Sequence, residues 1–279
     1  MRKIFLSICV FLLVFASCAT TQSGAAGGGK AASARQPAQI PVETKAKVLF
    51  PDGALDEYTV SAYDDTLTNL LTQTRFSASG ALLEQTVYTY PDGKNTVMKK
   101  TILNSDNQMK NQVEYQYDDQ GNLVSEALLN KDNIPVSSYT YLYDAKGNRT
   151  NRIYNNGLGN KMAETVFTYN DKGNIIATET TSGAGQKINS TQSEFDSSGN
   201  MVNQKIFNAA GQLTSSTSFT WDKGNEVMNE QSGPDGTLQM RITNEYGSNH
   251  ELLKKTIEDL QGKTTQILAY EYTFKPAGR

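Results

Sequence analysis

The sequence predicts an all-β protein, an antiparallel meander of hairpin repeats about 26 residues long that curls into a spiral or barrel-like sheet. Three observations lead there. A Tyr-Asp turn motif recurs at a fixed spacing, the strands entering those turns alternate in polarity, and turns arrive about every 13 residues, too often for helical crossovers. The same pattern is compatible with a flat single-layer sheet as the alternative.

The motif comes first. Tyr117-Asp118-Asp119-Gln120-Gly121-Asn122 returns as Tyr143-Asp144-Ala145-Lys146-Gly147-Asn148, as Tyr169-Asn170-Asp171-Lys172-Gly173-Asn174 and as Phe195-Asp196-Ser197-Ser198-Gly199-Asn200. The aromatic residue moves by 26 each time. Trp221-Asp222-Lys223-Gly224-Asn225 continues with one turn residue fewer, Tyr246 and Tyr272 follow, and Tyr63 and Tyr90 precede the series. A looser second class of turns lies between, at Ser79-Gly80, Asp106-Asn107, Asn156-Gly157, Gly183 to Gly185, Ala210-Gly211, Pro234-Asp235-Gly236 and Gln261-Gly262.

Each turn has a physical reason. Aspartate at the first position of a type I turn caps the backbone with its carboxylate, and glycine at the fourth takes positive φ at little cost. Such a turn joins adjacent antiparallel strands. The spacing leaves roughly nine residues per strand, about 30 Å.

The entering strands then place Val113, Tyr115 and Tyr117 on one face, as they do Tyr139, Tyr141 and Tyr143, Thr165, Phe167 and Tyr169, and Thr217, Phe219 and Trp221. The other face takes Gln112, Glu114 and Gln116, then Ser190, Gln192 and Glu194. Period-two alternation marks a sheet with one buried and one wet face.

This pattern resembles the YD repeats of the RHS family, in which Tyr-Asp, two variable residues and Gly-Asn are followed by an aliphatic residue. Leu123, Ile175 and Met201 stand in that last slot, and the resemblance is specific between about residues 85 and 225. It implies a long curling antiparallel sheet. Large toxins of that family wrap the sheet around a toxic C-terminal domain. Here the sequence ends within a repeat at Tyr270-Glu271-Tyr272, so a cargo-carrying role is not expected.

Residues 1–17 read as a secretory signal peptide: Arg2 and Lys3, then an apolar run from Ile4 to Ala16. The run is short for a transmembrane helix, which needs about 20 residues. Val14-Phe15-Ala16-Ser17-Cys18 resembles the lipobox of bacterial lipoproteins, with Phe15 in place of the usual Leu, which implies lipid attachment at Cys18. Residues 18–41, rich in Ala, Gly, Ser, Thr and Gln, are expected to be a flexible tether, and 42–279 the repeat domain. The expected location is the cell envelope, at the outer membrane or cell surface or on its periplasmic face, with the membrane engaged through the N-terminal lipid.

Chemistry is sparse. Net charge is −3, and −5 once Arg2 and Lys3 leave with the leader, which gives no basic face for nucleic acid. Only Cys18 survives processing and His250 is the sole histidine, so neither a disulfide nor a Cys/His zinc site can be assembled. Asp118-Asp119 and Asp64-Asp65 recur as turn residues, and each turn offers too few carboxylates for calcium, which wants six to eight oxygens. His250 reads as an exposed turn residue and not as one member of a hydrolase triad. No cofactor, metal or catalytic residue is expected. The strand count also suits an 18-stranded outer-membrane barrel, but strands such as the one with Gln192 and Glu194 opposite Thr191 and Ser193 supply no lipid-facing band. The expected function is non-catalytic: a scaffold that binds a protein partner or, alternatively, a glycan.

Overall fold

The computed structural model describes residues 39–277; the leader and Cys18 lie outside the described residues. Eighteen strands form one sheet. They run β1 (Gln39–Leu49), β2 (Leu55–Tyr63), β3 (Leu70–Ser77), β4 (Leu82–Thr89), β5 (Lys99–Asn104) and β6 (Met109–Tyr117). The series continues with β7 (Leu123–Asn130), β8 (Pro135–Tyr143), β9 (Arg149–Asn156), β10 (Lys161–Tyr169), β11 (Ile175–Ser182) and β12 (Lys187–Phe195). Then come β13 (Met201–Asn208), β14 (Leu213–Asp222), β15 (Asn225–Ser232), β16 (Leu238–Tyr246), β17 (Leu252–Asp259) and β18 (Thr264–Pro276).

Every strand pairs antiparallel with its sequence neighbours, and β1 also pairs with β18, Gln39 opposite Pro276 and Leu49 opposite Ile267. That pairing closes the sheet into a barrel and excludes the flat alternative. An even strand count lets an all-antiparallel meander close without a parallel pair. Closure also leaves no edge strand with unpaired backbone groups.

The turn motif folds as its residue types dictate. In the turn from β6 to β7, Asp118 Oδ1 accepts the backbone N–H of Gln120 at 3.0 Å and of Asn122 at 2.7 Å. Gly121 sits at φ 85°, where a side chain would be strained. The motif's asparagine closes the turn from the other side. Asn122 Nδ2 donates to Asp118 Oδ2 at 2.9 Å, as Asn148 does to Asp144 and Asn200 to Asp196. These bonds, led by the asparagine side chain, hold the Asp118, Asp144 and Asp196 carboxyls below the usual range. Two of the looser turns use asparagine in both roles: Asn104 and Asn130 each cap with Oδ1, and Asn107 and Asn133 each take φ 59° without a glycine.

The aspartate turns all lie on one rim, where β1 enters and β18 leaves; the looser turns form the other rim. The face carrying Tyr115, Tyr141 and Phe167 is half-buried or buried, whereas Glu114, Leu142, Val166 and Glu194 on the opposite face are exposed. Closing a sheet crowds its concave side and splays its convex side, so the aromatic face is the inner wall. No large side chain among the described residues is fully buried. The interior is therefore a lined lumen and not a solid core, as the circumference of barrels this large entails.

The aromatic residue that stands just before each aspartate-rim turn, or in the equivalent position of β18, braces the inner wall. Tyr63, Tyr90, Tyr117, Tyr143, Tyr169, Tyr246 and Tyr272 each donate their hydroxyl to the carbonyl 20 residues upstream at 2.8–3.0 Å. Trp221 makes the equivalent bond through Nε1 to Met201 at 2.8 Å. Phe195, in the same position of β12, has no hydroxyl to donate.

Candidate functional site

Two surfaces stand out from the repeat. The first is on the inner wall of β7, β8 and β9. Alternation puts Tyr139, Tyr141 and Tyr143 on that wall, and the β8–β9 register sets Arg152 opposite Tyr141 and Tyr154 opposite Tyr139. A bulge between Leu142 and Tyr143 then brings Arg149 level with Tyr143. The Arg149 guanidinium lies 4.5 Å from the Tyr141 ring centroid and 6.0 Å from that of Tyr143, and Arg152 lies 5.5 Å from that of Tyr139. The Tyr139 ring packs 5.2 Å from Tyr154 and 6.3 Å from Tyr141.

Tyr141 is the cluster's fixed point, only 7% exposed, with its hydroxyl donating to Glu126 Oε2 at 3.1 Å. Burial, then the Glu126 charge and its hydrogen bond, push its ionisation well above the usual phenol range. Burial pushes Tyr115 up to about 12, with Glu126 adding to it. A cleft of about 580 Å³ opens between the Asp118 and Asp144 turns and is floored by Tyr141 and Tyr143.

The second surface is the rim of looser turns. Val136, Met162 and Ile188 occupy the same position in three successive hairpins, on the outer face of β8, β10 and β12, and stay 44–48% exposed. Ile134 and Leu158 extend the row onto the turns, Leu158 at 86% exposed. Two strand spacings separate successive members, about 10 Å, so the arc is roughly 20 Å long. The flanking hairpins hold Lys110 and Thr214 in the same position, and Leu83, 36% exposed, lies beyond Lys110. Single exposed apolar residues need no explanation, but an aligned row does.

The residues considered for chemistry fall apart in space. The Asp118 and Asp144 carboxylates are occupied by their own turns. Asp64 Oδ1 is likewise committed to Thr66 and Thr68. His250 is exposed on the turn after β16, its Nδ1 3.1 Å from Asn225 Oδ1. Cys18, the expected lipid site, lies outside the described residues.

No family model and no curated protein matches the chain. Among solved structures, it is similar to a chain of the TcdB2-TccC3-Cdc42 crystal structure at 17% identity and TM-score 0.36, covering 83% of this chain and 16% of that one. It is also similar to a porin-like protein from Bacteroides uniformis at 9% identity and TM-score 0.43, covering 83% of this chain and 96% of that one. The Photorhabdus luminescens Tc holotoxin pore follows at 13% identity and TM-score 0.30, covering 80% of this chain and 16% of that one. The chain thus spans 16% of the length of the toxin chains it resembles.

Proposed function

We propose that the chain is a non-catalytic, lipid-tethered envelope protein whose barrel grips a protein partner through the apolar arc of Val136, Met162 and Ile188. The arc is the observation that carries this reading. It runs unbroken over three neighbouring hairpins and stops at Lys110 on one side and Thr214 on the other, so the fold itself does not require it. The arc lies on the rim of looser turns, opposite the rim at which β1 begins. The outer wall carries ion pairs such as Lys205–Glu194 and Lys254–Glu245, which suits water around the barrel and not lipid.

The experiment is site-specific photocrosslinking in cells. A photoreactive residue at Met162 should yield a discrete protein adduct, whereas one at Gln120 on the aspartate rim should not. The paired change Val136→Ser and Ile188→Ser should abolish the adduct while the barrel stays folded. Equal adducts from both rims would overturn the reading. Loss of metabolic lipid label in Cys18→Ala tests the anchor separately.

A further inference from the structure

We propose that the tyrosine–arginine cluster on the inner wall binds an acidic polysaccharide, with Arg149 and Arg152 holding a uronate carboxylate against the tyrosine rings. This is independent of the rim arc. Four arginines lie among the described residues. Arg75 pairs with Glu57, and Arg241 pairs with Glu230 and Glu258. Arg149 and Arg152 pair with no carboxylate there. They stack on tyrosines instead, and Arg149 Nε is enclosed without a hydrogen-bond partner.

Nε is closed off, so an incoming acceptor would meet the guanidinium through its Nη groups, which no ion pair commits. Glu126, the neighbouring carboxylate, accepts from Tyr141 and makes no ion pair with either arginine. Two cations against one anion leave this wall locally positive in a chain of net charge −3. A carboxylate that reaches both forks would complete the set, since guanidinium matches carboxylate geometry in bidentate fashion.

The surroundings choose the class of anion. Tyr139, Tyr143 and Tyr154, each partly exposed, offer ring surface for the C–H groups of a sugar, and a cleft of about 580 Å³, of ligand size, runs from Tyr141 and Tyr143 to the Asp118 and Asp144 turns. Beyond the cluster the wall continues in hydroxyls. Thr165 meets Thr180 at 3.0 Å, and Thr178 meets Thr191 at 2.8 Å, a strip suited to a hydroxyl-bearing polymer and poor for an apolar peptide. The lumen gives access, because Arg149, Arg152, Tyr139 and Tyr154 all keep part of their surface open.

The test is calorimetric titration of the full-length chain with oligogalacturonate, its methyl-esterified form and oligoglutamate. The acidic sugar should bind, and the ester, which replaces the charged oxygen with a methoxy group, should bind roughly tenfold or more weakly. Arg152→Gln should weaken the acidic sugar by a similar factor, with Arg152→Lys intermediate and the circular dichroism of both unchanged. The proposal is overturned if the wild-type chain ignores oligogalacturonate or binds the ester as well. Equal binding of oligoglutamate would reduce the site to a general polyanion surface and overturn the sugar assignment. Should Arg152→Gln fail to fold, added salt decides instead: an ionic site loses affinity steadily, and an unchanged affinity overturns the proposal.

Discussion

The Tyr143 hydroxyl donates a 2.8 Å hydrogen bond to the carbonyl of Leu123, the first residue of the preceding return strand. The bond ties one aspartate turn to the turn before it, and its equivalents at every repeat but one make a belt just below the rim. Tyr143→Phe removes one link and leaves the Leu123 carbonyl short of a partner, which should cost about 1–2 kcal/mol in urea unfolding. The converse change is more telling. Phe195→Tyr places a hydroxyl where the carbonyl of Ile175, 20 residues upstream, lacks its brace, and should stabilise by about 0.5–1 kcal/mol. If both substitutions leave the unfolding midpoint unmoved, the belt contributes nothing.

The hairpin period is readable from sequence because each aspartate turn needs the same groups in the same order. A carboxylate at Asp118 caps, Gly121 takes the left-handed bend, and Asn122 returns a bond to the carboxylate. The turn after Asn130 has no glycine to announce it, since Asn133 adopts that bend with a side chain in place, as Asn107 does one hairpin earlier. Closure is hidden for a different reason. The β1–β18 pairing depends on accumulated twist and on the bulge between Glu43 and Lys45, neither of which has a local signature. The inner cluster is half legible. Alternation alone puts three tyrosines of β8 on one face, but Arg149 meets them only through the bulge at Tyr143.

Alkali should weaken the barrel before it cleaves anything. Tyr115, Tyr270 and Tyr272 ionise near 12 in the folded chain, each because of burial first and nearby glutamate second, against 10.0 for a free phenol. The folded state thus holds its protons more tightly than the unfolded state. The stabilisation from neutral tyrosine is whole below pH 10 and drains away as pH rises toward 12. Tyrosinate absorbance should therefore lag behind that of free tyrosine and then rise together with the loss of circular dichroism. A titration complete by pH 10 with the barrel intact would contradict the buried inner wall.

Deleting residues 144–169 removes one 26-residue repeat, β9 with β10, and joins Tyr143 to Asn170, so the turn Asn170-Asp171-Lys172-Gly173-Asn174 follows an aromatic residue as before. Sixteen strands can still close antiparallel, and the variant should fold cooperatively with native-like circular dichroism. Removing a single strand with its turn should fail instead. An odd count forces β1 and β18 to meet parallel, against the hydrogen-bond pattern that now joins Gln39–Leu49 to Ile267–Pro276. Comparable stability for the two deletions would mean that closure is not part of the fold's cooperativity.

The rim beneath the apolar arc relies on two glycines for closeness and not for φ. A Cβ on Gly157 would stand 2.4 Å from the carbonyl oxygen of Pro135, and one on Gly183 would stand 2.1 Å from that of Lys161. The Gly183 N–H also donates to the Met162 carbonyl at 2.7 Å, so the backbone that carries Met162 is held against this glycine. Backbone cannot swing aside as a flexible side chain would. Gly183→Ala must push β10 away from β12's turn, at about 1–3 kcal/mol by analogy with overpacked cores. The displacement should also move Met162 relative to Ile188. A photocrosslink from Met162 should then weaken more than one from Val136, whose supporting glycine, Gly157, is untouched. Equal weakening at both positions would show that the arc responds to global destabilisation and not to the local spacing set by Gly183.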